Sequence, residues 1–350
     1  MAPMMPTDIS DLRLFVIYAW WFALGFSLLL YIMLDGADLG AGVFSLFVRD
    51  PDARGGVMAA MAGTWDANET WLVVAGGVLF GTFPLVYGSA FHYLLVPLVI
   101  VLWSIMMRAI ALEFRHHANR STQLWDGLFG VASLTTLFFA GMAMGAVLEG
   151  YPLTSGPVPT YAGGMWRFVS PFSVWTGIGA VIAASLAGSL FVRARFERTE
   201  DIRKQAAVWV DRSFYASLVA VVVTVVWSLL KFPWAAEKWL GPYVWAWALV
   251  AVAVVYTVFR MRRSSRLGRD LFAILWLNAA IAIMWLAMMV TMLPWLVPNT
   301  WTIYAAASPS VSLVTFTMAM GGFLPVMLVY NWYQIWVFRA RISKLTGYGH

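Results

Sequence analysis

Cysteine is absent from the 350 residues, and histidine occurs only four times. The first absence excludes disulfides and thiolate-held metals, though for a chain of this composition it says little about compartment. The second narrows imidazole chemistry. Of His92, His116, His117 and His350, only His92 falls within a long apolar run. Two axial histidines on facing helices are therefore not on offer. Charge is scarce as well: Asp, Glu, Lys and Arg make up 11% of the chain, against about 25% in an ordinary soluble domain. No HExxH, CxxC or phosphate-binding glycine loop occurs. The glycines at 36, 40 and 42 follow no strand, which excludes a dinucleotide fingerprint.

What is present is apolar sequence, 61% of the chain, gathered in runs of about 20 residues, the length that crosses a hydrocarbon core. This pattern predicts an all-α, polytopic integral membrane protein. Eight spans are expected: Leu12–Leu34, Val86–Ala111, Leu124–Leu148, Phe168–Phe191, Ser213–Leu230, Tyr243–Phe259, Leu271–Val297 and Val311–Phe338. They are expected to form two four-helix groups, residues 1–192 and 193–350. The first run has no small-residue cleavage site after it and reads as a retained helix. Trp71–Phe83 reads as a buried, re-entrant or interfacial helix, with a ninth span as the alternative. Pro325 is expected to kink the last span.

The formal charge is +6, and its distribution points to topology and not to nucleic acid. Arg115 and Arg120, then Arg193 to Lys204, then Arg260 to Arg269, then Arg339 to Lys344 fall in alternate connections. The positive-inside rule places those connections in the cytoplasm. Eight spans then put both termini there; nine would put the N-terminus outside and the Arg49–Arg54 loop inside. Tryptophans near run ends, such as Trp71, Trp234, Trp239, Trp295 and Trp301, suit the headgroup layer. Trp20, Trp21 and Trp276 lie deeper, where they read as packing residues first and cofactor contacts second. Gly141 and Gly145 have the spacing of a close helix contact.

Acidic residues concentrate between Asp35 and Glu69. Asp35, Asp38, Asp66 and Glu69 fall beside or within apolar sequence, where a carboxylate must be paired, solvated or protonated. Helix ends at the headgroups are the plain explanation. Proton relay is the functional one. Asp66 and Glu69 are three apart and share a helix face, with Trp65 and Asn68 placed to shield or polarise them. Arg108 and Glu113 are a candidate local pair or headgroup anchor. Asp126 opens a span as a candidate cap or buried group. A lone His92 reads as a packing residue before a ligand.

The motifs DGADLGAG at Asp35–Gly42, GTWDANETWLVVAGG at Gly63–Gly77 and FPLVYGSAF at Phe83–Phe91, extended by Arg108, Glu113–Arg115 and Trp125–Asp126, resemble subunit II of cytochrome bd-type quinol oxidases. The resemblance is dense in the N-terminal half and rests on hydropathy and basic-loop order in the C-terminal half. The compact loops resemble the cyanide-insensitive branch. Glu113 stands where a family aspartate can occur.

The resemblance implies a bacterial inner-membrane complex with a larger subunit I of similar helix arrangement, and in some members a small accessory subunit and lipid contacts. Subunit I would carry haems b558, b595 and d and the site for ubiquinol or menaquinol. This chain would ligate no haem and no metal. The complex would oxidise quinol and reduce dioxygen to water, taking protons from the cytoplasm without pumping. Asp35, Asp38 and Asp66 match family acids, the Asp66 position being associated with proton delivery, and Glu69 joins them as a proton-access candidate. Trp65, Asn68 and Arg108 mark the neighbourhood a haem or quinone of the complex would approach, a structural quinone included. The other classes are a stand-alone proton-coupled transporter, with paired helix groups and internal acids, and a purely structural assembly subunit.

Overall fold

The computed structural model describes residues 10–118, 121–154 and 161–337. Arg120, Arg339, Arg341, Lys344, His350 and Phe338 at the end of the expected last span lie outside them.

Helix α1 (Asp11–Ser45) opens on Ser10, whose hydroxyl accepts from the Arg13 amide at 3.4 Å. It runs 35 residues without a break, through the whole DGADLGAG motif. There follow α2 (Pro51–Met61), α3 (Trp65–Thr82), α4 (Pro84–Tyr93), α5 (Leu95–His117), α6 (Thr122–Glu149), α7 (Pro171–Arg195), α8 (Asp201–Lys231), α9 (Pro233–Trp239), α10 (Val244–Arg266) and α11 (Asp270–Met292). A hairpin of β1 (Trp295–Val297) and β2 (Trp301–Thr302) leads to α12 (Ile303–Ala306), α13 (Ser310–Met320) and α14 (Phe323–Val337). The protein is all-α and multi-pass. Among the described residues eight helices are long and apolar enough to cross a membrane: α1, α5, α6, α7, α8, α10, α11 and the α13–α14 pair.

Several boundaries differ from expectation. The second span starts at Leu95, not Val86, because the helix breaks at Leu94 and residues 84–93 form α4. The seventh ends at Met292, and Trp295–Val297 pairs with β2 instead. The eighth breaks at Gly321–Gly322, not at Pro325. A proline clashes with the carbonyl four residues back, which is that of Gly321, so the interruption falls there and Pro325 takes the tolerant first turn of α14.

Connections sort the helix ends into two sets. Arg115 at the end of α5 donates to the Pro51 carbonyl just after α1, Arg195 at the end of α7 to Ala60 of α2, and Arg193 to Ser265 of α10. At the opposite end Arg13 donates to Ser310 and Ser308, Ser308 to Thr82 and Gly81, and Tyr151 to Thr300. Helix α3 therefore joins the two ends: its start meets the Arg115 end and its last turn meets Ser308. The first residues of α1 and the last residues of α14 consequently lie at opposite ends of the molecule. The expectation of both termini in the cytoplasm concerns residues 1–9 and 338–350, which lie outside the described residues. Helix α3, although amphiphilic at its start, makes a full traverse and reverses the sense of everything after it.

The core is continuous along α1. One part gathers Trp20, Trp71, Val78 and Phe83 with Ile303 and Leu313. A second gathers Phe44, Met58, Met61, Phe129 and Phe196 at the base-rich end. A third joins Leu190, Phe214, Met261 and Ala273 of α7, α8, α10 and α11. Trp20 donates to Thr317 at 2.8 Å, and the Arg260 guanidinium lies 4.7 Å from the Trp276 ring centre. Both indoles serve packing. Methyls at Gly141 and Gly145 would stand 2.7 and 2.1 Å from Thr176 of α7, which is the close contact their spacing suggested.

Candidate functional site

Arg108 is the centre of the most buried charge cluster. It sits seven residues before Arg115 on α5, about 10 Å in from the base-rich end at 1.5 Å per residue. Its side chain is fully buried. Nη1 donates to Asp35 Oδ1 at 2.7 Å, and Nη2 donates to Glu69 Oε2 at 2.9 Å. Asp35 is as inaccessible as the arginine, while the Glu69 side chain keeps 19% of its surface. Asp38 is also buried and accepts from Asn68 Nδ2 at 2.8 Å. Three helices thus contribute: α1 both aspartates, α3 Asn68 and Glu69, α5 the arginine. Among the described residues Arg108 Nε is buried without a hydrogen-bond partner, and the Tyr31 hydroxyl, one turn before Asp35, is buried beside that carboxylate.

The local sequence explains the assembly. The small residues of DGADLGAG let α7 approach α1 closely at Gly40, where a Cβ would meet the Ala184 carbonyl at 1.7 Å. That contact seals one side of the helix and leaves the aspartates facing inward. The WDANE stretch forms the first turns of α3, which sets Asn68 and Glu69 against α1 and α5.

Asp66 departs from the other acids. It is exposed on the first turn of α3, and its described contact is through its carbonyl, which accepts from Thr70 at 2.8 Å. Trp65 is half-buried against the base-rich core. Arg108 and Glu113 do not pair: Arg108 turns inward to Asp35 and Glu69, and Glu113 is exposed. Five residues along a helix point in different directions, whereas three helices converge on Arg108. Asp126 does not cap α6. It is buried and accepts from Arg115 Nε at 2.6 Å.

A second buried set was not singled out from the sequence. Asp270, at the head of α11, accepts from Arg193 Nε at 2.7 Å and Arg203 Nη2 at 2.6 Å. It ties α7, α8 and α11 together. In sequence the two arginines read as loop charges. The available signal was Asp270 itself, the sole acid between Glu237 and the end of the chain. At the opposite end Glu149 pairs with Lys231 and accepts from Ser170 Oγ at 2.5 Å.

His92 is exposed on α4 with its ring 5.2 Å from that of Tyr161, and His117 is exposed at the end of α5. The two stand at opposite ends of α5, so no described pair of imidazoles can clasp one iron.

Residues 16–338 match the family described as cytochrome bd terminal oxidase subunit II. The chain is 24% identical to the cytochrome bd-I ubiquinol oxidase subunit 2 of Escherichia coli K12, over 93% of this chain and 95% of that one. It is 27% identical to the probable cytochrome oxidase subunit 2 of Haemophilus influenzae, over 62% and 58% respectively. The bd oxidase structure from Geobacillus thermodenitrificans contains a chain that superposes with a TM-score of 0.77 at 16% identity, covering 93% of this chain and 98% of that one, a likeness of fold.

Proposed function

The chain belongs to the cytochrome bd terminal oxidase subunit II family, and we propose that it braces the haem-bearing subunit I and gives protons access from the cytoplasm during reduction of dioxygen to water. It is a multi-pass membrane subunit of a bd-type quinol oxidase complex, and its bacterial relatives support an inner-membrane location. In this reading haems b558, b595 and d in subunit I supply the electron chemistry. No step runs through a cofactor held here.

One observation carries the proton-access reading. Asp35, Asp38 and Glu69 gather about the buried cation Arg108, with Arg195 near Asp38, in the half of the molecule nearer the base-rich end. Three carboxylates exceed the positive charge beside them. In a medium of low dielectric such an excess is relieved by binding a proton, and the part-exposed Glu69 is the member a proton from water would reach first. Asp66, exposed on the same helix three residues earlier, extends the route to the surface. The positive-inside rule assigns the base-rich end to the cytoplasm. The start of α1 is then on the outer side and the end of α14 on the inner side.

The test is oxygen consumption and proton uptake by the assembled complex carrying Glu69→Gln. Slowed uptake at unchanged haem content is expected. Full turnover in a well-assembled variant would overturn the reading and leave the purely structural one, which the complete burial of the Arg108–Asp35 pair favours. The transporter alternative has no observation in its favour.

A further inference from the structure

One face of α10 changes character along its length. Val252, Val255 and Phe259 are exposed on it, and Arg263 and Arg266 continue it at the same three- and four-residue spacing. At 1.5 Å per residue Arg266 stands about 10 Å beyond Phe259. The helical repeat places this strip between Arg262 and Arg260, and each of those is engaged with a neighbouring helix. Arg262 pairs with Asp211 of α8 and lies 4.8 Å from the Phe214 ring centre. Arg260 donates to the Tyr256 hydroxyl at 2.6 Å and stacks on Trp276 of α11. The strip is thus bounded by α8 and α11, apolar toward the middle of the span and cationic at its end.

Its cations lack counter-charge. Arg263 and Arg266, with Arg269 in the turn beyond, are exposed and form no ion pair among the described residues. Arg198, from the connection between α7 and α8, brings Nη2 to 3.7 Å from where a Cβ on Gly268 would stand in that same turn. The acids of the flanking helices are engaged elsewhere: Asp211 with Arg262, and buried Asp270 with Arg193 and Arg203. Glu197 and Glu200 pair with none of these arginines. Like charges three residues apart repel, so an anion is favoured here.

Arginines at an inner helix end satisfy topology and the helix dipole without any ligand. This group differs in standing in line with an uncovered apolar strip. A free phosphate would match the cations alone, whereas a phospholipid matches the cations and the strip.

We propose that the strip seats an anionic phospholipid of the cytoplasmic leaflet. Its phosphodiester oxygens accept from the guanidiniums of Arg263 and Arg266, a pairing that guanidinium geometry favours. An acyl chain lies along Phe259, Val255 and Val252. Arg198 and Arg269 raise the positive potential about the headgroup, which selects anionic over zwitterionic lipid. The site does not depend on the proton-access reading.

The test uses the complete oxidase, stripped of lipid in detergent and titrated with dioleoylphosphatidylglycerol or dioleoylphosphatidylcholine, with bound lipid counted by native mass spectrometry. Arg263→Gln with Arg266→Gln is expected to weaken phosphatidylglycerol binding about tenfold, each basic residue at a membrane surface contributing severalfold, and to leave phosphatidylcholine binding as it was. Arg49→Gln with Lys204→Gln removes two basic residues from exposed positions at the same end and should keep the phosphatidylglycerol affinity. Unchanged affinity in the first pair, or an equal loss in the second, overturns the site. Displacement of the lipid by inorganic phosphate at equal concentration assigns the arginines to free phosphate and overturns it too. So does a small membrane protein that leaves the complex with the two arginines while lipid affinity holds. If the first pair lowers the yield of complex, Arg266→Gln alone is measured: a loss of about threefold is expected, and no loss overturns the site.

Discussion

Gly40 of α1 and Gly188 of α7 meet backbone to backbone. A Cβ on Gly188 would stand 2.0 Å from the Ala41 nitrogen, and one on Gly40 would stand 1.7 Å from the Ala184 carbonyl oxygen. Neither neighbour is a side chain that can turn aside. The crossing lies immediately after Asp38, so it fixes the depth and rotation of the two aspartates as well as the helix contact.

Gly188→Ala is accordingly expected to push α1 and α7 apart. Overpacking of this kind costs about 1–3 kcal/mol, and here it also shifts Asp35 away from Arg108. The expected outcome is a lower yield of assembled complex and an earlier thermal transition in detergent. Gly179→Ala, whose methyl would meet nothing within 4 Å on the same helix, serves as the reference and should behave as the unsubstituted protein.

The two aspartates of α1 should respond differently to the same chemical change. Asp35→Asn takes the fully buried counter-charge from Arg108, leaving part-exposed Glu69 as its remaining ion-pair partner. Breaking a buried pair typically costs about 3–5 kcal/mol, so assembly should fall sharply. Asp38→Asn keeps an oxygen able to accept from Asn68, and assembly should change little. Haem content per purified complex reads both.

Asp66→Asn is expected to leave assembly intact, because the side chain is exposed, and to lower turnover if Asp66 feeds Glu69. The measurement is oxygen consumption normalised to haem. Unchanged turnover in Asp66→Asn together with slowed turnover in Glu69→Gln would shorten the route to Glu69 alone.

Asp270→Asn leaves Arg193 and Arg203 buried together without their shared counter-charge. The loss should be about 3–5 kcal/mol, felt where α7, α8 and α11 meet. Protease cleavage between residues 196 and 201 should accelerate, and the thermal transition should fall, while haem-normalised turnover of the surviving complex stays the same.

Much of this was readable in the sequence. The apolar runs of α1, α6 and α10 were placed to within a turn at their starts, since each apolar residue reports its own preference for lipid. The 35–69 stretch was marked by acids in apolar surroundings, and three of its four carboxylates stand about one guanidinium or its neighbours. Other features depended on distant partners. Arg115, Arg193 and Arg203 look in sequence like three more loop charges, yet each meets a buried aspartate, Asp126 or Asp270. Arg108 looks like a headgroup anchor beside Glu113 until α1 and α3 close on it.

The sequence by itself determined that the chain lives in a membrane, roughly where its helices run and which end is rich in bases, because transfer into lipid and attraction of basic loops to the cytoplasmic side act residue by residue. Only the tertiary structure decided that α3 traverses the molecule, that Asp66 stays outside while Asp35, Asp38 and Glu69 go in, and that Asp270 holds two arginines. Those outcomes turn on which helix faces meet. A charge in low dielectric is stable only beside its partner, and Arg108 finds its own 73 and 39 residues away along the chain.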